Sequence, residues 1–134
     1  MRTDEPAGPV DAAIRAAAHE LSQATPKAPT EALPHLRAAQ EHLTRAIDEA
    51  MAAAILETGS TIRTAGALAG LSENAVGPRL ARTSLLAAYD AGRGRVTASG
   101  VERARYDLEQ GRHRVADEAT EEPRPLRFRA RRPT

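Results

Sequence analysis

The chain contains no cysteine and no tryptophan, and its aromatic residues are one phenylalanine (Phe128) and two tyrosines (Tyr89 and Tyr106). The missing cysteine excludes disulfides, thiolate nucleophiles and thiolate metal sites. The scarcity of aromatics leaves few stacking platforms for unpaired bases, which weighs against RNA binding. It also leaves any core to Leu, Val, Ile and Ala. No stretch approaches the roughly 20 apolar residues that cross a bilayer. Residues 1–6 carry acids and a proline where a signal peptide would carry an apolar run. These absences predict a cytoplasmic, nucleoid-associated protein without membrane contact.

Enzymatic chemistry has little to stand on. His19, His35, His42 and His113 are scattered, with no HxxxH or HExxH arrangement. His35 and His42 lie seven apart on one helical pattern, which suits exposed histidines. The Gly92–Gly94 turn is too short for a phosphate loop and has no following Lys-Ser/Thr. No enzyme activity, cofactor or metal is expected.

Alanine is abundant, and it favours helix while burying little area. A length of 134 residues suits one domain. Its thin core makes pairing with a second copy a reasonable expectation. Charge is unevenly placed although the net value is only +1. Residues 1–58 hold five Lys/Arg against nine Asp/Glu, and residues 59–134 hold fourteen Arg against nine acids. Such asymmetry points to a polyanion partner. Lys27 is the one lysine, and arginine presents a planar fork of donors suited to phosphate and guanine edges.

Residues 1–33 read as an N-terminal tail with a short helix over Val10–Gln23, followed by a linker punctuated by Pro26, Pro29 and Pro34. A long helix is expected from Pro34 to about Glu57, with a stripe of Leu36, Leu43, Ile47, Met51, Ile55 and Leu56. Arg37 with Glu41, and Arg45 with Glu49, are spaced to pair across its exposed face. Gly59 supplies the stop. This helix serves either as a dimerisation arm or as a support for the domain after it. Residues 34–111 form that domain in this reading, and residues 112–134 form a charged, Arg-rich tail.

The stretch Thr61–Arg82 carries the most specific pattern. Gly66 is small enough for a helix crossing, Gly70 can take the left-handed conformation of a tight turn, and Leu71 plugs the corner. Ser72 is placed to cap a second helix, whose Val76 and Leu80 face inward together. After it, Leu85–Tyr89 and Arg95–Thr97 flank the Gly-Arg-Gly turn, which is hairpin-like. Ala98–Gln110 reads as a last helix.

This arrangement resembles the bacterial, actinobacterial-like winged helix-turn-helix regulators. The resemblance rests on Gly66, Gly70, Leu71, Ser72, Val76 and Leu80, and on the Val96-Thr97-Ala98-Ser99-Gly100 run into the last helix. It implies a mainly α fold with a helix-turn-helix, a short β-hairpin wing and a long preceding helix. It also implies a homodimer that reads double-stranded DNA as a transcriptional regulator, such as a repressor, or as a plasmid- or phage-type binding protein. The second helix would enter the major groove.

On that reading Arg79, Arg82 and Thr83 contact bases or phosphates, Asn74 pairs with adenine, and Ser72 caps and touches phosphate. Arg63 and Thr64 anchor phosphates, and Arg93 and Arg95 tip the wing. Gly77-Pro78 interrupts the pattern. Either the second helix is kinked there, or its regular part starts near Pro78. Leu85–Asp90 is likewise either strand or continued helix. The second function kept open is a non-catalytic helical adaptor that recruits a protein partner through the 34–58 helix.

Overall fold

The computed structural model describes residues 8–116 of the chain. The Arg-rich tail expected from residue 112 falls mostly outside them.

The chain opens with a helical hairpin. Helix α1 spans Pro9–Gln23 and helix α2 spans Pro29–Glu57. Each begins with proline in its first turn, where the missing N–H has no helical partner to lose. The seam between them is made of alanine: Ala13 and Ala17 of α1 and Ala32 and Ala39 of α2 are buried. Side chains this small let two helix axes lie close but contribute little apolar burial. One polar contact joins them, His35 Nδ1 to Glu20 Oε1 at 2.8 Å.

Helix α2 starts five residues before the proline spacing suggests. Pro34 lies inside it, one turn in, and has no N–H for the carbonyl of Thr30. Packing along α1 and the Glu20–His35 contact favour the helix enough to keep that defect. Helix α2 ends where Gly59 turns left-handed at φ +79°.

The C-terminal half of α2 then becomes one wall of the core. Helices α3 (Ile62–Leu68), α4 (Glu73–Leu80) and α5 (Ala98–Glu109) pack round it, with a single 3-10 turn at Ala87–Tyr89. Met51, Ile55, Leu56, Val76, Leu80, Leu86, Tyr89, Val96 and Val101 form the buried cluster. Between α3 and α4, Gly70 has φ +76°, and a Cβ on Gly66 would stand 2.5 Å from Val76 Cγ2. Thr61 caps α3 by accepting from the Thr64 N–H at 3.0 Å. Ser72 sits at the cap position of α4 but makes no side-chain cap bond.

The expected β-hairpin wing does not form, and the described residues contain no strand. A winged helix-turn-helix is therefore not the fold; the described residues form a five-helix, all-α structure. The reason is local. Asp90 turns the would-be hairpin loop about its own carboxylate, accepting from Gly92 N at 2.9 Å and Gly94 N at 3.2 Å. The Val96 N–H, which a wing strand would direct across a ladder, donates instead to the Gly77 carbonyl at 3.0 Å. Leu86 and Tyr89, three apart, are both buried, which is a helical and not an alternating pattern.

Gly77-Pro78, the interruption in α4, thereby finds its use. A Cβ at Gly77 would stand 3.0 Å from the Val96 carbonyl oxygen, so glycine lets this segment lie against the helix. Pro78 sits within the assigned helix, and its regular part does not wait for proline.

Tyr89 closes the far end. Its hydroxyl donates to Asp107 Oδ2 at 2.9 Å and accepts from the Arg114 N–H at 3.0 Å, and the His113 ring stacks on it. Gly100 of α5 passes so close to the Tyr89 carbonyl that a Cβ there would collide with backbone.

Two outcomes follow from this packing. Gly100→Ala should destabilise the fold by about 1–3 kcal/mol, because the Tyr89 carbonyl must move to admit the methyl group; urea unfolding measures it. The hydrogen bond from His35 holds the Glu20 carboxyl below its ordinary value of 4.5. A lowered folded value means stability that is fully present above pH 4.5 and is lost as pH falls through the folded value. Glu20→Gln should flatten that acid limb of the stability profile, measured by thermal melts between pH 3 and 6.

Candidate functional site

The nine residues expected to touch DNA do not share a surface. Arg79 points inward, its Nε donating to Asp48 Oδ1 of α2 at 2.7 Å, and the two side chains keep only 23% and 9% of their exposure. Thr83 is buried, donating to the Leu80 carbonyl and accepting from the Leu86 N–H. Arg82 is exposed on the rim of a groove against α2. Arg63, Asn74 and Arg95 line a different groove, of about 480 Å³, and Arg63 lies 3.4 Å from the Glu73 carboxylate. Arg93 is exposed on the 90–95 loop, where it lines an adjoining groove that also includes Arg95, and Thr64 is committed to the cap of α3.

Sequence-specific recognition of duplex DNA, and with it the regulator and repressor roles, is accordingly withdrawn. A reading helix needs its donors free and directed outward. Here Arg79 is neutralised by an internal carboxylate, Thr83 is core, and the wing that would place Arg93 and Arg95 is missing. Gly66, Gly70, Leu71, Val76 and Leu80 do shape a tight turn between two short helices. That turn is a packing device in this structure, with Val76 and Leu80 fully buried.

Two residues gained importance that the sequence pattern did not show. Asp48 and Glu49 are buried neighbours on α2. Asp48 holds Arg79, and Glu49 accepts from both the N–H and the hydroxyl of Ser84, at 3.0 and 2.9 Å. Glu49, expected on an open face, is thus buried and clamped to Ser84. The signal was present but faint: Asp48 and Glu49 follow directly on Ile47, toward the buried side of an otherwise apolar run. They form the floor of a groove of about 790 Å³ whose rim includes Arg37, Glu41 and Arg82. Its central acids are occupied in holding the fold. Among the described residues no three His, Cys, Asp or Glu side chains are grouped to hold a metal ion. No helix there is long and apolar enough to cross a membrane.

The feature that internal bonds leave unexplained is apolar. Leu33, Leu36 and Leu43 of α2 are 62%, 45% and 52% exposed, and Ile14 and Leu21 of α1 are 52% and 54% exposed. On α2 these leucines continue through Gln40, Ile47 and Ala50 as an alternation of threes and fours, the spacing of a coiled-coil seam. At about 100° per residue they lie roughly 70° round the helix from the Ala32–Ala39 line. Ile14 and Leu21 lie a similar roughly 70° round α1 from the Ala13–Ala17 line, in the same rotational sense. Because the two helices of the hairpin run in opposite directions, both offsets reach the same side. Five large aliphatic side chains therefore form one contiguous face of the hairpin. Its edges carry ion pairs: Arg37 with Glu41 at 3.5 Å on α2, and Arg15 with Asp11 at 3.0 Å on α1. The face itself carries no charge.

Comparison with known proteins adds no relative: no family model, no curated protein and no solved structure matches the chain.

The reassignment of Arg79 is directly measurable. Arg79→Ala should cost about 2–3 kcal/mol of stability, somewhat below a fully buried pair, by leaving Asp48 desolvated without its partner. Arg82→Ala, on the open rim, should change stability by no more than about 0.5 kcal/mol. Equal small effects in urea unfolding would show that the Arg79–Asp48 contact does not hold the fold.

Proposed function

We propose that this protein is a non-catalytic helical interaction protein, an adaptor whose α1–α2 hairpin is an arm that docks on helices of a protein partner. The observation that carries this reading is the contiguous face of Ile14, Leu21, Leu33, Leu36 and Leu43, each about half exposed. Alanine would serve the helices as well and would cost nothing in water. Five large aliphatics on one side of a hairpin amount to a patch of several hundred Å², the size at which monomer surfaces become interaction sites. Leucines recurring at threes and fours are the anchors by which helices enter grooves or bundles.

The compact end, built on α3, α4 and α5, acts in this reading as a rigid mount that holds α2 straight through the Asp48 and Glu49 clamps. Those buried polar groups are spent on structure, which supports a role in binding over one in catalysis. A cytoplasmic setting suits a chain without cysteine.

Affinity capture from cell extract with quantitative mass spectrometry tests the reading. The full chain should enrich a protein set that Leu36→Glu/Leu43→Glu loses at least about tenfold, while Arg82→Ala retains it. Circular dichroism must show equal helicity for all three. If the leucine variant retrieves the same set, the arm is not the docking surface.

A further inference from the structure

Resting on the arm reading, we infer that the occupant of this face is a second copy of the same chain, joined antiparallel so that two hairpins form a four-helix bundle. Three features of the face favour a copy of itself over an unrelated helix.

The first is self-complementarity. A two-fold axis crossing α2 near residue 38 sets Leu33 against Leu43 of the second copy and, by the same operation, Leu43 against its Leu33. Leu36 then meets Gln40 at the centre. Antiparallel helices pack their alternating three-and-four positions in this reciprocal manner, and a two-fold interface uses one patch on both subunits. A polar residue at a central seam position, here Gln40, is a known device for fixing register.

The second feature is charge. Along the α2 edge Arg37 precedes Glu41. The pair they form is closed within its own copy, and the seam positions between the two copies are uncharged. The α1 edge pair Asp11–Arg15 is likewise satisfied within each copy, so joining two faces buries no unpaired charge.

The third is area. The five side chains expose on the order of 500 Å² of apolar surface per copy, near the top of what monomers leave uncovered. With the flanking Gln40, Ala18 and Ala50, all exposed, the contact approaches the roughly 800 Å² per partner of a standard stable interface. The alanine seam within each hairpin buries little, so the arm gains from a second layer on its open side.

Sedimentation velocity of the full chain over low to high micromolar concentrations tests this. The wild type should be dimeric, and Leu36→Glu/Leu43→Glu should weaken association by about 100-fold or more. Leu21→Ser, a milder change on the other helix, should weaken it in the same direction and guards against misfolding of the double variant. The chain has no cysteine, so Leu33→Cys and Leu43→Cys report orientation. A mixture of the two should form a disulfide-linked dimer under mild oxidation, and neither should do so alone.

A wild type that stays monomeric overturns the second copy as occupant. So does a dimer indifferent to the leucine variants, or cross-linking of either cysteine variant with itself. If the wild type is monomeric while Leu36→Glu/Leu43→Glu still loses extract-borne partners, this inference fails and the adaptor reading survives. If neither self-association nor face-dependent capture is seen, both fail.

Discussion

The ion pair between Arg79 and Asp48 decides how the rest of the molecule is arranged. It ties α4 to the middle of α2, at the level where the hairpin arm ends and the core begins. Glu49, one residue on, takes Ser84 and so secures the segment leaving α4. The two acids fix both ends of the Arg79–Ser84 stretch, and Thr83 fills the space between by bonding to Leu80 and Leu86. With that stretch held, Leu86 and Tyr89 are delivered to the core, and the 90–95 loop closes on Asp90. A charge buried in this way is costly unless paired, so each partner is obligatory once the other is present.

The same bonds divide the molecule into two parts with different physics. The compact end has a continuous cluster of Leu, Ile, Val and Tyr side chains and close glycine approaches at Gly66, Gly77 and Gly100. The arm has an alanine seam and a single hydrogen bond between its helices. Its stabilisation per residue is smaller, and its large aliphatics face outward and not toward each other. An arm built so is better explained as half of a larger packing unit than as a finished one. Helix α2 runs through both parts, which makes the arm a rigid extension of the core and not a separate module.

Much of the helical layout was legible in the residues. Gly59 and Gly70 mark ends because their backbone preferences are local, and the last helix falls within one residue of the expected Ala98–Gln110. The beginning of α2 was not, since Pro34 is an unfavourable local signal that α1 outweighs from across the seam. The wing was misread for the opposite reason. Gly92-Arg93-Gly94 is a good turn, but whether its flanks pair with each other or with α4 depends on Gly77, fifteen residues earlier. Arg79 shows the same limit in the site. On a helical wheel it lies outside Val76 and Leu80, and only the folded position of Asp48 turns it inward.

The leucine stripe of α2 was also visible in the sequence, but spacing alone assigns such a stripe to burial without saying against what. The structure supplies the missing half of that statement: α1 covers the alanine line and leaves the leucine line open. A short α1 rich in alanine cannot do otherwise, because it meets α2 along the narrowest side chains available and its own Ile14 and Leu21 turn to the same open side. The exposed face is therefore a consequence of how the hairpin closes, and not of five independent surface substitutions. Separate surface leucines are ordinary in proteins. Five that a single packing geometry brings together form a surface with a shape, an orientation and neutral edges, and those are the properties a binding partner can recognise.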